Sequence, residues 1–207
     1  MIYRHRVSLI DLLATSGDLT LSWTSPVYPK LYSNDSSINP LPRPITEDED
    51  GWIGSLVMIG AMTGPFAAGF ISEKYGRRIA LLCLAIPHMV SLFTMAFAHN
   101  VYLFYFGRLF AGLSTGGGYT VLPVYIAEIS QDSTRGPYTQ TLNVFWALGN
   151  FLPYAIGPYL SMIWFNLILA CLPTIFFVLF LILGPETPYY LVMRKKDKRS
   201  RKIIDVT

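Results

Sequence analysis

Four polar side chains in an otherwise apolar stretch, residues 138–160, could hydrogen-bond a polar solute. At 100° per residue they fall within an arc of about 80°, so they share one face of a helix. They are Gln140, Asn143, Asn150 and Tyr154. Amides and a phenol suit a hydroxyl-rich neutral solute, because each solute hydroxyl can donate and accept while no charge is buried. Hydrogen bonds between helices use the same residue types, so helix packing is the alternative interpretation of this face.

This polar face belongs to one of five apolar stretches that are each long enough to cross a bilayer. About 20 apolar residues span a hydrocarbon core of about 30 Å. The stretches cover residues 51–72, 79–98, 101–126, 138–160 and 162–183, and they contain one charged residue, Arg108. Charged residues make up 14% of the 207 residues, against about 25% in a globular domain. The sequence therefore predicts an all-α polytopic membrane protein.

A sixth, weaker crossing is predicted over residues 7–28. Asp11 and Asp18 interrupt it, and an aspartate at a helix centre costs about 2.5 to 3.5 kcal/mol on insertion scales. The expected architecture is a six-helix transmembrane bundle over residues 7–193, preceded by a short N-terminal segment, residues 1–6.

The distribution of basic residues predicts the orientation of the bundle, because Lys and Arg gather in cytoplasmic joints. With the N-terminus inside, the outer joints carry Lys30 and Arg43, and all other basic residues outside the spans fall on the inner side. The outer joint 26–50 also carries a glycosylation sequon at Asn34. The basic tail, residues 194–207, is interpreted as a cytoplasmic contact with anionic lipid rather than with nucleic acid. Both termini are thus predicted to be cytoplasmic.

The joint after the first strong span reads GFISEKYGRR, from Gly69 to Arg78. Glu73 stands at the carboxyl end of its own helix, where the helix dipole disfavours an acid, so it needs a partner. A local pair with Arg77, four residues further on, is one alternative. A partner elsewhere in the protein is the other.

The stretch 101–126 combines a packing signal with a buried charge. Gly112 and Gly116 form a small-xxx-small stripe that permits close approach of another helix. Arg108 needs a counter-charge, a cavity or the outer interface, which its side chain could reach by snorkelling. The three histidines, His5, His88 and His99, are scattered, and no nucleophile, metal-ligand or phosphate-loop spacing appears. The sequence therefore predicts no enzyme, cofactor or metal site.

Several short motifs in this order resemble those of the sugar porter family of the major facilitator superfamily, and in particular its insect facilitated trehalose transporters. They are the Gly69 to Arg78 joint, the Gly112, Gly116, Tyr125, Glu128 and Arg135 spacing, the PVYIAE run that starts at Pro123, Arg135-Gly136, and Pro185-Glu186-Thr187-Pro188. Tyr189 departs from the arginine that is usual after the last motif.

The resemblance implies the N-terminal half of a twelve-helix plasma-membrane transporter, in which sugar binds between two six-helix bundles that rock to alternate access. The implied partners are the sugar and the absent C-terminal bundle or another porter chain. The implied intracellular gate consists of Gly69, Glu73, Lys74, Gly76, Arg77 and Arg78. Glu128 and Arg135 would join its charge network, and Arg108 would be the arginine that relatives carry in the fourth helix.

The resemblance also suggests the solute contacts. Asn143 stands where many relatives carry a sugar-binding glutamine, so Gln140, Asn143 and Asn150 would face the solute. Thr24 follows Trp23 where relatives have an aspartate or asparagine, and the aspartate serves proton-coupled members. Because Thr24 cannot carry a proton, facilitated diffusion is favoured. Asp18 lies six residues earlier and is no obvious substitute.

Two functions remain open on the sequence. The first is sugar transport by alternating access, with this chain as half of the transporter. The second is a non-transporting half-length membrane protein that pairs with or inhibits a full-length porter, or an incomplete gene product.

Overall fold

A computed structural model describes residues 2–195, and it describes the side chains of residues 9–131 and 134–195. All regular elements in this part of the chain are helical, which confirms the predicted all-α fold class. The α-helices are α1 (Ile2–Ser22), α2 (Thr24–Leu31), α3 (Glu47–Tyr75), α4 (Arg77–Ala96), α5 (Val101–Ile129), α6 (Asp132–Ile156) and α7 (Met162–Leu183). A 3-10 turn at Gly157–Tyr159 follows α6, and helical backbone resumes over 188–195. Residues 1 and 196–207, parts of the two predicted terminal segments, lie outside the described residues.

Three of the helices are long and apolar enough to cross a membrane by length and composition, namely α3, α4 and α7. The predicted stretch 101–126 falls in α5, whereas the stretch 138–160 begins in α6 and ends beyond the 3-10 turn. Neither of these two helices meets the same criterion of length and composition. Three polar side chains of α5 are turned inward: Arg108, Ser114 and Thr115 are all buried. These three side chains lie between neighbouring helices rather than in contact with lipid.

The predicted first crossing consists of two helices, α1 and α2, with an interruption at Trp23. Pro26 explains the interruption, because it has no N–H to donate to the carbonyl of Ser22. The Trp23 ring fixes the junction in the bundle: it is fully buried, and its Nε1 donates to Asn166 Oδ1 of α7 at 2.7 Å. The sequence pattern did not reveal this division of the span.

The N-terminus of α3 is held by a capping box. Thr46 Oγ1 accepts from the Glu49 N–H at 3.3 Å, and Glu49 Oε2 accepts from the Thr46 N–H at 2.9 Å. Arg43 Nη2 donates to Glu49 Oε1 at 2.6 Å. The hydrogen bond from Arg43, followed by the one from the Thr46 backbone, lowers the pKa of the Glu49 carboxyl below its ordinary value of 4.5.

These contacts make the stability of the N-terminus of α3 depend on pH. A carboxyl with a depressed pKa contributes stability that is fully present above its unfolded value of 4.5 and is lost as the pH falls through the lower folded value. We therefore expect Glu49→Gln to lower the melting temperature of the detergent-solubilised chain at pH 7, and the difference from the wild type to be smaller at pH 3. Glu47→Gln, which changes an acid of the same helical turn without a described hydrogen bond, is the control and should shift the melting temperature less. An equal difference at both pH values for Glu49→Gln would contradict this reasoning.

The closest helix contact is between α3 and α5, where glycines face each other. A Cβ on Gly60 would lie 2.8 Å from Leu113 N, and one on Gly64 would lie 2.7 Å from Gly117 N. On α5, a Cβ on Gly112 would overlap the Val57 carbonyl oxygen, and one on Gly116 would overlap that of Ala61. Main chain therefore contacts main chain at this crossing, which residues larger than glycine would prevent.

Candidate solute site and charge network

A buried carboxylate joins three helices at the polar face of the bundle. Asp18 of α1 accepts a hydrogen bond from the Tyr119 hydroxyl of α5 on Oδ1, and one from Asn150 Nδ2 of α6 on Oδ2 at 2.7 Å. Ser22, one turn beyond Asp18, donates to Asn150 Oδ1 at 2.5 Å. The Asp18 side chain is 5% exposed, whereas Tyr119 is 42% exposed. We call Asp18, Ser22, Tyr119 and Asn150 the polar cluster.

The backbone of α6 is brought to α1 by a glycine. A Cβ on Gly149 would overlap the Thr15 carbonyl oxygen and lie 3.2 Å from Asp18 Cβ. The absence of that Cβ lets the next residue, Asn150, reach the Asp18 carboxylate. The Tyr119 ring is supported from α6 as well, because Trp146 packs against it at a centroid distance of 5.0 Å and an interplanar angle of 63°.

The four predicted solute contacts occupy three different surroundings. Gln140 and Asn143 are exposed on α6, and Asn143 Nδ2 donates to Gln140 Oε1 at 3.0 Å. Asn150, on the same helix, belongs to the polar cluster. Thr24 is half-buried on α2, and no described hydrogen bond joins it to the other three. Tyr154 is exposed one turn beyond Asn150.

Sequence reasoning gave Asp18 no role, although a signal was present. Asp11 and Asp18 are seven residues apart, a spacing that places both on one face of a helix. Both are buried, and both meet α6: Thr141 Oγ1 donates to Asp11 Oδ1 at 3.5 Å. Neither carboxylate forms an ion pair with a described residue. An acid kept inside a membrane helix without a cation is a functional candidate.

Arg108 is held by backbone carbonyl groups. Its side chain is 1% exposed, and its Nε donates to the Ile53 carbonyl of α3 at 3.0 Å. Nη1 donates to the Thr20 carbonyl of α1, and the guanidinium lies 5.4 Å from the centroid of the Trp23 ring. Arg108 therefore does not snorkel to the outer interface. Instead it ties α3 and α5 to the interrupted end of α1.

At the opposite end of the bundle from the outer joint, Arg77 pairs with Glu128 across α4 and α5. Nη2 lies 2.9 Å from Glu128 Oε1, and both side chains are 13% exposed. Arg77 Nη1 also donates to the Ser72 carbonyl at 3.1 Å. Arg77 thus pairs with Glu128, and Glu73 is exposed without a described side-chain contact.

Glu186, which follows α7, supplies the N-terminal cap of α4. Its Oε1 accepts from the backbone N–H groups of Arg77 at 3.0 Å and Arg78 at 3.2 Å. A carboxylate is favourable at the positive end of a helix. Gly76 makes room for it: its φ of +106° is in the left-handed region, and a Cβ there would lie 2.8 Å from Glu186 Cδ.

The remaining gate residues lie around this cap. Lys74 is exposed with its Nζ 5.2 Å from the Phe70 ring centroid, and its carbonyl accepts from the Tyr190 hydroxyl at 3.1 Å. Arg78 Nη2 donates to the Leu181 carbonyl at 2.7 Å. Arg135 is exposed near the start of α6, and Gly69 is half-buried in α3 with open space where a Cβ would stand. The structure therefore brings Gly76, Arg77, Arg78 and Glu128 together and leaves Glu73 and Lys74 at the surface.

Comparison with known proteins identifies the family. The profile described as "Sugar (and other) transporter" matches residues 23–206. The facilitated trehalose transporter Tret1 of Apis mellifera ligustica is 33% identical over 206 residues, which cover 96% of this chain and 40% of the relative. The bovine (Bos taurus) solute carrier family 2, facilitated glucose transporter member 8, is 31% identical over 95% of this chain and 41% of the relative.

A solved structure shows the same fold. The inward-open xylose transporter XylE from E. coli superposes with a TM-score of 0.72 at 18% identity, over 98% of this chain and 52% of that chain. The chain thus spans less than half the length of the two curated relatives and about half of XylE. The family is one of multi-pass membrane transporters rather than enzymes, in agreement with the sequence analysis. This chain belongs to the sugar porter family of the major facilitator superfamily and corresponds to the N-terminal six-helix half of that fold.

Proposed function

We propose that the chain is the N-terminal, solute-binding half of a plasma-membrane transporter that moves a sugar by alternating access. The relatives named above are transporters of trehalose, glucose and xylose. The observation that carries the proposal is the polar cluster, which joins α1, α5 and α6 through hydrogen-bonding groups at the face where α6 also presents Gln140 and Asn143. Facilitated diffusion is proposed because Thr24 has no titratable side chain.

The chemistry of this face favours a neutral polyol over a charged solute. No described Lys or Arg forms an ion pair with Asp18, and Arg108 is engaged with carbonyl oxygens. An anionic solute at this face would therefore lie close to a buried acid without a compensating cation. The exposed groups are amides and phenols, which exchange hydrogen bonds with hydroxyls at no cost in buried charge.

We further propose that the exposed gate residues serve contact with a second bundle, either the C-terminal half of the fold or another porter chain. Glu73 and Lys74 are exposed beside the Arg77–Glu128 pair and make no ion pair with a described residue. Such a partner would complete their pairing in one state of the transporter and release it in the other, which is how a charge network biases alternating access. Arg135, exposed on α6, belongs to the same proposed network.

Uptake into proteoliposomes tests this function. Vesicles that contain residues 1–207 alone and vesicles that contain this chain together with the C-terminal half of a porter should be supplied with radiolabelled D-glucose or trehalose. We expect saturable uptake in the second preparation and its loss in Asn150→Leu. Uptake at background level in both preparations would reject transport. Stable association with a full-length porter combined with reduced uptake by that porter would instead support the non-transporting alternative.

Orientation can be tested separately through the sequon. Asn34 is exposed in the joint between α2 and α3, which we propose to be extracellular, with both termini in the cytoplasm. In insect cells we expect the chain to carry an endoglycosidase-sensitive glycan that Asn34→Gln removes. An epitope tag at the C-terminus should be accessible to antibody only after permeabilisation. A tag that is accessible in intact cells would contradict the proposed topology.

A further inference from the structure

The polar cluster fixes the direction of each of its hydrogen bonds. The Tyr119 hydroxyl donates to Asp18 Oδ1, and Asn150 Nδ2, an amide nitrogen that can only donate, donates to Asp18 Oδ2. Asn150 therefore turns its amide nitrogen to Asp18, and its Oδ1 accepts from Ser22 at 2.5 Å. The hydrogen of the Tyr119 hydroxyl is likewise engaged with Asp18.

Because its hydrogen is engaged with Asp18, the Tyr119 hydroxyl can only accept a further hydrogen bond. A tyrosine hydroxyl has one hydrogen and also accepts through its oxygen. The hydrogen is directed inward to a side chain that is 5% exposed, and no described residue donates to the Tyr119 oxygen. Tyr119 itself is 42% exposed, and Trp146 packs against its ring at 5.0 Å. The phenol is therefore held in place with its oxygen free to accept.

We infer that Asp18 is a positioning residue that turns the Tyr119 hydroxyl into a hydrogen-bond acceptor and so makes the site select a solute hydroxyl that donates. This inference rests on the proposed function, since it takes the solute to be a sugar. Asp18 acts through Tyr119 and Asn150 rather than by contact with the solute, because the two side chains cover it.

Selection of this kind has a chemical signature. A C–F group is close in size to C–OH and can accept a hydrogen bond weakly, but it cannot donate one. A fixed acceptor therefore discriminates against fluorine at the solute position that it contacts, by about tenfold for one neutral hydrogen bond. When Asp18 is replaced by alanine, the Tyr119 hydroxyl can rotate and donate to fluorine, and the discrimination falls.

The first test needs no sugar. The chain contains four tryptophans, so labelling with 5-fluorotryptophan gives four ¹⁹F resonances, of which the one lost in Trp146→Phe belongs to Trp146. We expect Asp18→Ala to shift the Trp146 resonance, because it releases the Tyr119 ring. Asp11→Ala removes the other buried acid of α1, which contacts Thr141 instead, and should leave that resonance in place. An unchanged Trp146 resonance in Asp18→Ala would overturn the inference.

The second test measures displacement of D-glucose by its monofluoro-deoxy analogues. In the wild type we expect one analogue to bind about tenfold more weakly than D-glucose, and in Asp18→Ala to bind within about twofold of it. Tyr119→Phe should remove the discrimination in the same way with the acid in place, and thereby covers the case in which Asp18→Ala does not fold. Discrimination that persists in either folded variant would overturn the inference. If the wild type bound neither D-glucose nor any analogue, the proposed function would fail, and the NMR result alone would decide whether Asp18 positions Tyr119.

Discussion

Replacing Gly112 by alanine should destabilise the bundle by about 3 kcal/mol, the upper part of the usual range for overpacking. The added methyl group would overlap the carbonyl oxygen of Val57 and lie 2.9 Å from Ala61 N, both in the backbone of α3. A flexible side chain could rotate away from a new methyl group, but helical backbone cannot. Relief therefore requires α3 and α5 to separate, which loses packing along the whole crossing. The melting temperature of the monodisperse, detergent-solubilised chain measures the effect.

Gly118 provides a matched control on the same helix. A Cβ there would meet Leu122 Cδ1 at 3.7 Å, an ordinary van der Waals contact. Alanine also has the higher helix propensity, by about 1 kcal/mol. Gly118→Ala should therefore leave the melting temperature unchanged or raise it. If both variants melted at the same temperature, the close backbone approach of α3 and α5 would not be what stabilises this crossing.

The helices could be predicted because the membrane imposes a simple rule. A backbone in lipid has to satisfy its own hydrogen bonds, so each long apolar stretch becomes a helix. The stretch 162–183 coincides with α7, Met162–Leu183, in both its bounds. The interruption at Trp23 was missed because hydropathy does not register the carbonyl that Pro26 leaves unpaired. Its effect on the helix depends on the Asn166 and Arg108 contacts, which come from distant parts of the chain.

The polar cluster could be predicted only in part for the same reason. The polar face of α6 follows from the helical period alone, and that is how Asn150 was found. Asp18 counted in the sequence as a cost to membrane insertion, because its partners are 101 and 132 residues away. A single sequence places residues on a face of their own helix, but it does not show which helix lies opposite. The local ion pair between Glu73 and Arg77 was considered for the same reason. The four-residue spacing of these two residues is visible in the sequence, whereas the pairing of Arg77 with Glu128 on another helix is not.

Removal of Arg77 should cost about 2 to 3 kcal/mol, at or below the lower end of the range for a buried ion pair that loses one partner, because this pair is partly buried. The Glu128 side chain is 13% exposed, and Arg77→Ala would leave its carboxylate without a cation. Its Oε2 already lacks a hydrogen-bond partner among the described residues. The variant also loses the hydrogen bond to the Ser72 carbonyl, which ties the start of α4 to the end of α3. A lower melting temperature of the purified chain and faster proteolysis near Ser72 would report both losses.

The double variant Arg77→Ala with Glu128→Gln separates the ion pair from the rest of the side chain. Neutralising Glu128 removes the unpaired charge, so the double variant should recover part of the stability lost in Arg77→Ala. The coupling between the two side chains follows when the single variant Glu128→Gln is measured as well. Glu73→Gln tests the local pair, and no change is expected because Glu73 is exposed and makes no described side-chain contact. A large effect of Glu73→Gln together with no recovery in the double variant would assign Arg77 to Glu73 instead. The charge network would then be confined to the joint between α3 and α4. Glu128 would no longer link this joint to α5, which carries Tyr119 of the polar cluster.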